Sequence, residues 1–126
     1  MSTLGGLRVL VVENDDLSAS LLQMQLIQSG GNVVGVAATV AEALERIGTC
    51  EPQVVLLDYR LAGNESSEPV AADLLARGIP FVVATGMEPA RLPPMLARGV
   101  VLTKPYLSAD LLDALLRALE QDPVRG

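Results

Sequence analysis

Two kinds of apolar segment alternate along the chain. Short, unbroken runs rich in Val occur at Val9–Val12, Val33–Ala37, Val54–Leu57, Phe81–Ala84 and Val100–Leu102. Runs of about four that do not alternate with polar residues suit strands buried on both faces, as in a parallel sheet. Between them, apolar positions recur at helical spacing. Leu17, Leu21 and Met24, with Leu22 and Leu26, are expected to share the buried side of a first helix that stops near Ser29-Gly30-Gly31. Thr39-Val40-Ala41-Glu42 has capping-box spacing and opens a second helix through Ile47. Pro69 suits the first turn of a third, which buries Val70, Leu74 and Leu75 and stops at Gly78. Ser108 is placed as the cap of the last helix, whose stripe is Leu111, Leu112, Leu115, Leu116 and Leu119.

Strand followed by helix, repeated, predicts an α/β fold: a five-stranded parallel sheet, doubly wound, with right-handed crossovers. One gap breaks the rhythm. Met87 to Gly99 holds Pro89, Pro93 and Pro94. An interior proline costs a helix about 3 kcal/mol, so the fourth helix is expected to be shortened or irregular.

Composition narrows the functions. The 126 residues suit one domain, 1–126, at roughly 100–200 residues per domain. Nine basic against 15 acidic residues give a net charge of −6, which argues against a nucleic-acid footprint. No apolar run approaches about 18 residues, so no membrane span is expected. The start, Met1-Ser2-Thr3-Leu4-Gly5-Gly6, lacks the basic and apolar regions of a signal peptide. The chain has no His, which excludes Ser-His and Cys-His pairs, imidazole metal sites and a phosphohistidine of its own. The single Cys50 excludes an internal disulfide and suits a reducing compartment, so a cytoplasmic setting is expected.

In open α/β sheets, sites form beyond the carboxyl ends of the strands. Those ends read Glu13-Asn14-Asp15-Asp16, Asp58, Thr85-Gly86 and Thr103-Lys104-Pro105. One rim therefore carries acids, a hydroxyl and an ammonium. The acids favour a hard divalent cation such as Mg²⁺, held through oxygen with several waters retained. A carboxylate beside that cation, with Lys and Thr nearby, suits attack on a phosphoryl group and retention of its oxygens. An aspartyl phosphohydrolase of the haloacid dehalogenase type would need a second acid two residues after Asp58, where this chain has Arg60. Dinucleotide binding lacks its Gly-rich loop after the first strand.

Val11-Val12-Glu13-Asn14, Val55-Leu56-Leu57-Asp58, Ala84-Thr85-Gly86 and Leu102-Thr103-Lys104-Pro105-Tyr106, in that order, resemble the motifs of a response-regulator receiver domain of two-component signalling. Arg77-Gly78-Ile79-Pro80-Phe81-Val82-Val83-Ala84-Thr85-Gly86 further resembles the "FAT GUY" receivers, whose signature is Pro-Phe-x-Phe-Ala-Thr-Gly-Tyr. Val83 and Met87 replace its second Phe and final Tyr. The resemblance implies the flavodoxin-like receiver fold, with Asp58 as phosphoacceptor. It implies Mg²⁺ held by Glu13, Asn14, Asp58 and the Arg60 backbone carbonyl. Thr85 and Lys104 would contact the phosphoryl group, and the bond before Pro105 would be cis. The implied partners are a sensor histidine kinase, of HWE type, or a phosphotransfer protein, and a downstream protein. On this reading the chain is a stand-alone phosphoprotein of a phosphorelay rather than an enzyme.

Two departures from that family matter. Asn14 stands where an Asp usually ligates the metal directly, so the metal site should lose a charge. Val101 stands where most receivers carry an aromatic switch residue, three before the Lys. Together they motivate a second expectation, a degenerate pseudo-receiver that binds partners without being phosphorylated.

Overall fold

Five strands, β1 (Arg8–Val12), β2 (Asn32–Ala37), β3 (Val54–Asp58), β4 (Phe81–Thr85) and β5 (Val100–Thr103), pair in parallel in the order β2-β1-β3-β4-β5. They come from a computed structural model that describes residues 4–120. The expectations placed on Met1–Thr3 and on the last six residues of 1–126 lie outside it. The helices are α1 (Asp16–Gln28), α2 (Val40–Cys50), α3 (Glu68–Arg77) and α4 (Ser108–Glu120). This is the flavodoxin-like order with four helices, as the alternation of segments predicts.

The pleat of the strands divides the core in two. Val9, Val11, Leu56, Val82 and Leu102 face α1 and α4, while Leu10, Val12, Leu57, Phe81 and Val83 face α2 and α3. Both faces are therefore apolar, which is why the strands read as continuous hydrophobic runs rather than alternating ones.

Local signals set the helix ends. The Thr39 hydroxyl accepts the Glu42 N–H at 3.1 Å, and the Glu42 carboxylate accepts the Ala38 N–H at 3.0 Å, closing the capping box that starts α2. Thr39→Ala should cost about 1 kcal/mol, read as a lower denaturation midpoint at unchanged slope. The helix runs three residues past Ile47, to Cys50. Gly78 ends α3 with φ +70°, donating its N–H to the last-turn carbonyls.

In place of a fourth helix, Met87–Gly99 forms two short 3₁₀ turns, Pro89–Arg91 and Leu96–Arg98. It is not a loose strap, since Leu92 and Leu96 are buried in the α2/α3 core.

Two helices differ from expectation. Leu17, Leu21 and Met24 point outward, 71%, 53% and 55% exposed, together with Ile27; α1 is buried through Ala19, Leu22 and Leu26. Apolar residues are spread over every side of this helix, so its pattern alone cannot choose a face. In α4, Leu111, Ala114, Leu115 and Ala118 form the buried side, while Leu116 and Leu119 are partly exposed. Ser108 is the first helical residue rather than the cap. Its hydroxyl accepts from the Gln25 side chain, and the Asp110 carboxylate takes the Leu107 N–H.

Candidate functional site

The strand order reverses direction between β1 and β3, and ligand crevices form beside such a reversal. Glu13 leaves β1 there and Asp58 ends β3. Glu13 is held by its backbone, its N–H donating to the Ala37 carbonyl at 2.9 Å, and only 6% of the residue is exposed. Its carboxylate accepts the Asn14 N–H at 2.9 Å and is hydrogen-bonded to the Asp58 side chain. Lys104 reaches both acids, with Nζ 3.4 Å from Asp58 Oδ1 and 3.9 Å from Glu13 Oε1.

Lys104 is placed by the sheet rather than by its own side chain. Its N–H donates to the Thr85 carbonyl at 2.8 Å as β5 ends, and the next peptide, Lys104–Pro105, is cis. Thr85 ends β4, is 3% exposed, and accepts the Met87 N–H on its hydroxyl oxygen at 3.0 Å. That bond ties the first residues of the 3₁₀ segment to the rim and leaves the hydroxyl proton able to donate.

Burial is the main cause that raises the Glu13 carboxyl to a pKa of about 7; the hydrogen bond and charge of Asp58 add to it. Lys104 and the Asn14 N–H oppose that rise without cancelling it. Two acids thus face one ammonium in a half-dry rim, which favours the protonated form of Glu13.

The remaining residues divide. Asn14 sits exposed at the rim beside Glu13. Asp15 does not join the acids: its carboxylate caps α1, accepting the Ser18 N–H at 2.9 Å and hydroxyl at 2.7 Å, and these bonds lower its pKa. The Arg60 guanidinium lies over the Tyr59 ring, 4.6 Å from its centroid, and the Arg60 backbone bridges to Ser66. That bridge closes the turn after β3. Among the described residues no group of three His, Cys, Asp or Glu side chains could hold a metal.

A buried carboxyl beside a second one, with the Asn14 amide next to it, does fit a divalent cation. Mg²⁺ needs one or two protein carboxylates and keeps its waters, and the Asn14 amide oxygen adds a neutral ligand. Glu13, Asp58 and Asn14 are the residues that would hold it.

One neighbour escaped the sequence reading. Tyr106 is partly buried, and its hydroxyl pKa is raised by burial and then by the charges of Glu13 and Asp58. It stays a neutral wall of the site. An aromatic residue directly after Lys-Pro was the available signal.

No family model and no curated protein matches the chain, whereas solved structures do. SdrG from Pseudomonas melonis Fr1, in its BeF3-activated conformation, is 37% identical, covering 94% of this chain and 99% of its own, with a TM-score of 0.76. The signal receiver domain of NarL from Mycobacterium tuberculosis is 31% identical over 90% of this chain and 96% of its own, with a TM-score of 0.78. This chain belongs to the response-regulator receiver family. The receiver also resembles the anti-anti-sigma factor PhyR from Bartonella quintana, at 27% identity and a TM-score of 0.72. There the match covers 90% of this chain but 46% of PhyR, so the receiver spans about half of that protein. Among the receiver's described residues, no helix is long and apolar enough to cross a membrane. Receivers are signalling domains, and this one has a receiver's sheet order with an acidic rim at the β1/β3 reversal.

Proposed function

We propose that this receiver accepts a phosphoryl group on Asp58 from the phosphohistidine of a partner kinase or phosphotransfer protein, and signals through protein contacts. The observation that carries this reading is the meeting of Asp58, Glu13 and Lys104 within 3.9 Å, with Thr85 on the adjoining strand end. An Asp58 oxygen attacks phosphorus; the O–P bond forms as the donor's N–P bond breaks, and the histidine nitrogen leaves with the electron pair. The Lys104 ammonium and Thr85 hydroxyl then hold phosphoryl oxygens. A bound divalent cation supplies charge neutralisation between the carboxylates and the incoming phosphoryl group. Glu13 and Asn14 orient that charge, and the Arg60 carbonyl is the further oxygen that the family resemblance offers.

Phosphorylation adds about −1.5 to −2 charges beside Thr85, whose hydroxyl also holds the Met87 N–H. The 3₁₀ segment is therefore the element that feels the change. The donor would dock along the outward face of α1, because Leu17, Leu21, Met24 and Ile27 form an apolar stripe that starts at this rim. A cytoplasmic kinase of the HWE type fits the "FAT GUY" resemblance, and the likeness to PhyR, an anti-anti-sigma factor, favours an anti-sigma protein as one form of downstream partner.

Incubation with acetyl phosphate and Mg²⁺ should add one phosphate to the intact mass, and Asp58→Ala should take none. A label retained in Asp58→Ala would sink the assignment.

Asn14 favours a second reading, a pseudo-receiver whose rim binds metal too weakly to be phosphorylated. The two readings separate on Asn14→Asp. Restoring a charge should tighten Mg²⁺ about tenfold, followed by titration of rim amide shifts. If the parent takes no phosphate at saturating Mg²⁺ while Asn14→Asp does, the pseudo-receiver reading holds.

A further inference from the structure

Asp58 is followed by a short ladder outside the main sheet. The Leu61 N–H donates to the Glu65 carbonyl at 2.8 Å, the Ser67 N–H donates to the Tyr59 carbonyl at 2.9 Å, and Arg60 faces Ser66 between those bonds. A pair flanked in this way exchanges no hydrogen bond of its own, so the Arg60 N–H and C=O turn away from Ser66. The turn that closes the ladder needs two successive left-handed residues, Gly63 at φ +74° and Asn64 at φ +61°. Gly and Asn are the residue types that adopt that conformation most readily.

The ladder is fastened to a neighbouring element. The Ala62 N–H donates to the Ala38 carbonyl at 2.9 Å, and the Glu65 carboxylate accepts the Val40 N–H at 3.2 Å. Val40 is the first residue of α2, so its N–H has no partner within the helix. The capping box serves the Ala38 and Glu42 N–H groups from within the same turn, whereas Val40 is served from the loop after β3. A carboxylate there also meets the positive end of the helix dipole. The connection from β2 to α2 holds Glu13 as well, whose N–H donates to the Ala37 carbonyl at 2.9 Å. Ala37, Ala38 and Val40 therefore tie together the two segments that carry the rim acids, Glu13 after β1 and the ladder after Asp58. Of these bonds, only the one from Glu65 uses a side chain, and that residue is exposed, so core packing does not explain its place.

We propose that Glu65 is a positioning residue for the cation site, setting the Arg60 carbonyl against Glu13 and Asp58 by fastening the ladder to the start of α2. The proposal rests on the metal reading given above, and Glu65 itself makes no contact with the cation. Without its bond the ladder keeps its turn and its own hydrogen bonds, but its place against Glu13 is held by the Ala62–Ala38 bond alone. The cation then meets a carbonyl that must first be ordered, and that ordering costs affinity. Once the cation is bound the order is restored, so the transfer step itself is unaffected.

Titration of rim amide shifts with Mg²⁺ tests this on the whole receiver, in the parent, Glu65→Ala, Glu65→Gln and Thr39→Ala. Mg²⁺ affinity should fall about fivefold in Glu65→Ala, the weight of one hydrogen bond. Glu65→Gln should recover most of that loss, because the amide oxygen also accepts the Val40 N–H; an effect of charge alone would leave Gln as weak as Ala. Thr39→Ala loosens the same helix end without touching the ladder and should keep the parent's affinity. Labelling by acetyl phosphate should match the parent at saturating Mg²⁺ and slow only below saturation. In metal-free protein the Val40, Leu61 and Ala62 amides should exchange about fivefold faster in Glu65→Ala. Unchanged affinity in Glu65→Ala, no recovery in Glu65→Gln, an equal loss in Thr39→Ala, or a labelling defect that persists at saturation would each overturn the proposal. A parent without saturable Mg²⁺ shifts would overturn the metal reading and the role given to Glu65 with it. The metal-free exchange rates separate that failure from a failure of the tie to α2, which unchanged rates in Glu65→Ala would show.

Discussion

Gly99→Ala should destabilise this receiver by about 3 kcal/mol, the upper end of what overpacking a core costs. Gly99 lies directly before β5, and its backbone is extended, φ −81° and ψ 178°, so the need for glycine is not conformational. It is steric. A Cβ would lie 2.5 Å from two ring carbons of Phe81 and 2.7 Å from the Phe81 carbonyl oxygen. The ring is 1% exposed and fixed by the α2/α3 core, and the carbonyl belongs to β4, so neither side can yield cheaply. Relief requires β5 to move away from β4 and carry Thr103 and Lys104 with it. The same variant should therefore weaken Lys104's hold on Asp58. Chemical denaturation reads the first effect, at roughly 4 °C of melting temperature per kcal/mol for a chain of this size. The rate of labelling by acetyl phosphate reads the second. A variant as stable as its parent would show that the β4–β5 spacing is softer than the geometry implies.

That contact could not be read from the sequence, although the segment containing it could. Three prolines excluded a regular fourth helix, because a missing N–H and a ring clash are local facts. Leu92 and Leu96 turning inward to replace that helix is a tertiary fact, set by the space α3 leaves. The same division runs through the fold. The buried strands and the Thr39–Glu42 box were legible because each is decided within a few residues. The face of α1 was not: with apolar residues on every side, Leu17 and Leu21 were as plausible inside as Leu22 and Leu26, and only docking on the sheet separates them. Ser108 lost its capping role because α4 takes it in as its first residue, and the Asp110 carboxylate accepts the Leu107 N–H just ahead of it.

The rim shows the contrast in chemistry. Parallel strands end on one side, so Glu13, Asp58, Thr85 and Lys104 had to share an edge once the sheet was recognised. Their separations depend on strand register, and neither the Glu13–Asp58 hydrogen bond nor the diversion of Asp15 to the α1 cap is written in spacing.

Stability should fall as pH rises from about 5 to about 8, opposite to the usual behaviour of a buried carboxylate held by cations. Glu13 titrates near 4.5 when unfolded and near 7 in the native rim. Between those values the folded chain binds more protons than the unfolded one, so its stability is greatest below pH 4.5 as far as this group is concerned and is lost through pH 7. A shift of that size carries up to about 3 kcal/mol. Glu13→Gln keeps the shape and a hydrogen bond toward Asp58 but removes the titration. It should flatten the slope and be the more stable protein at pH 8. Mg²⁺ should act in the opposite sense to pH, because a cation held by Glu13 and Asp58 needs both deprotonated. Added Mg²⁺ should thus stabilise the parent much more at pH 8 than at pH 5.5, release protons near neutrality, and stabilise Glu13→Gln little at either pH. Denaturation midpoints at three pH values, with and without Mg²⁺, measure all of this. A parent whose stability is flat or rising over that range would place the ionised Glu13 in far better company than Lys104 alone. A Glu13→Gln variant with the parent's slope would assign the proton to another group.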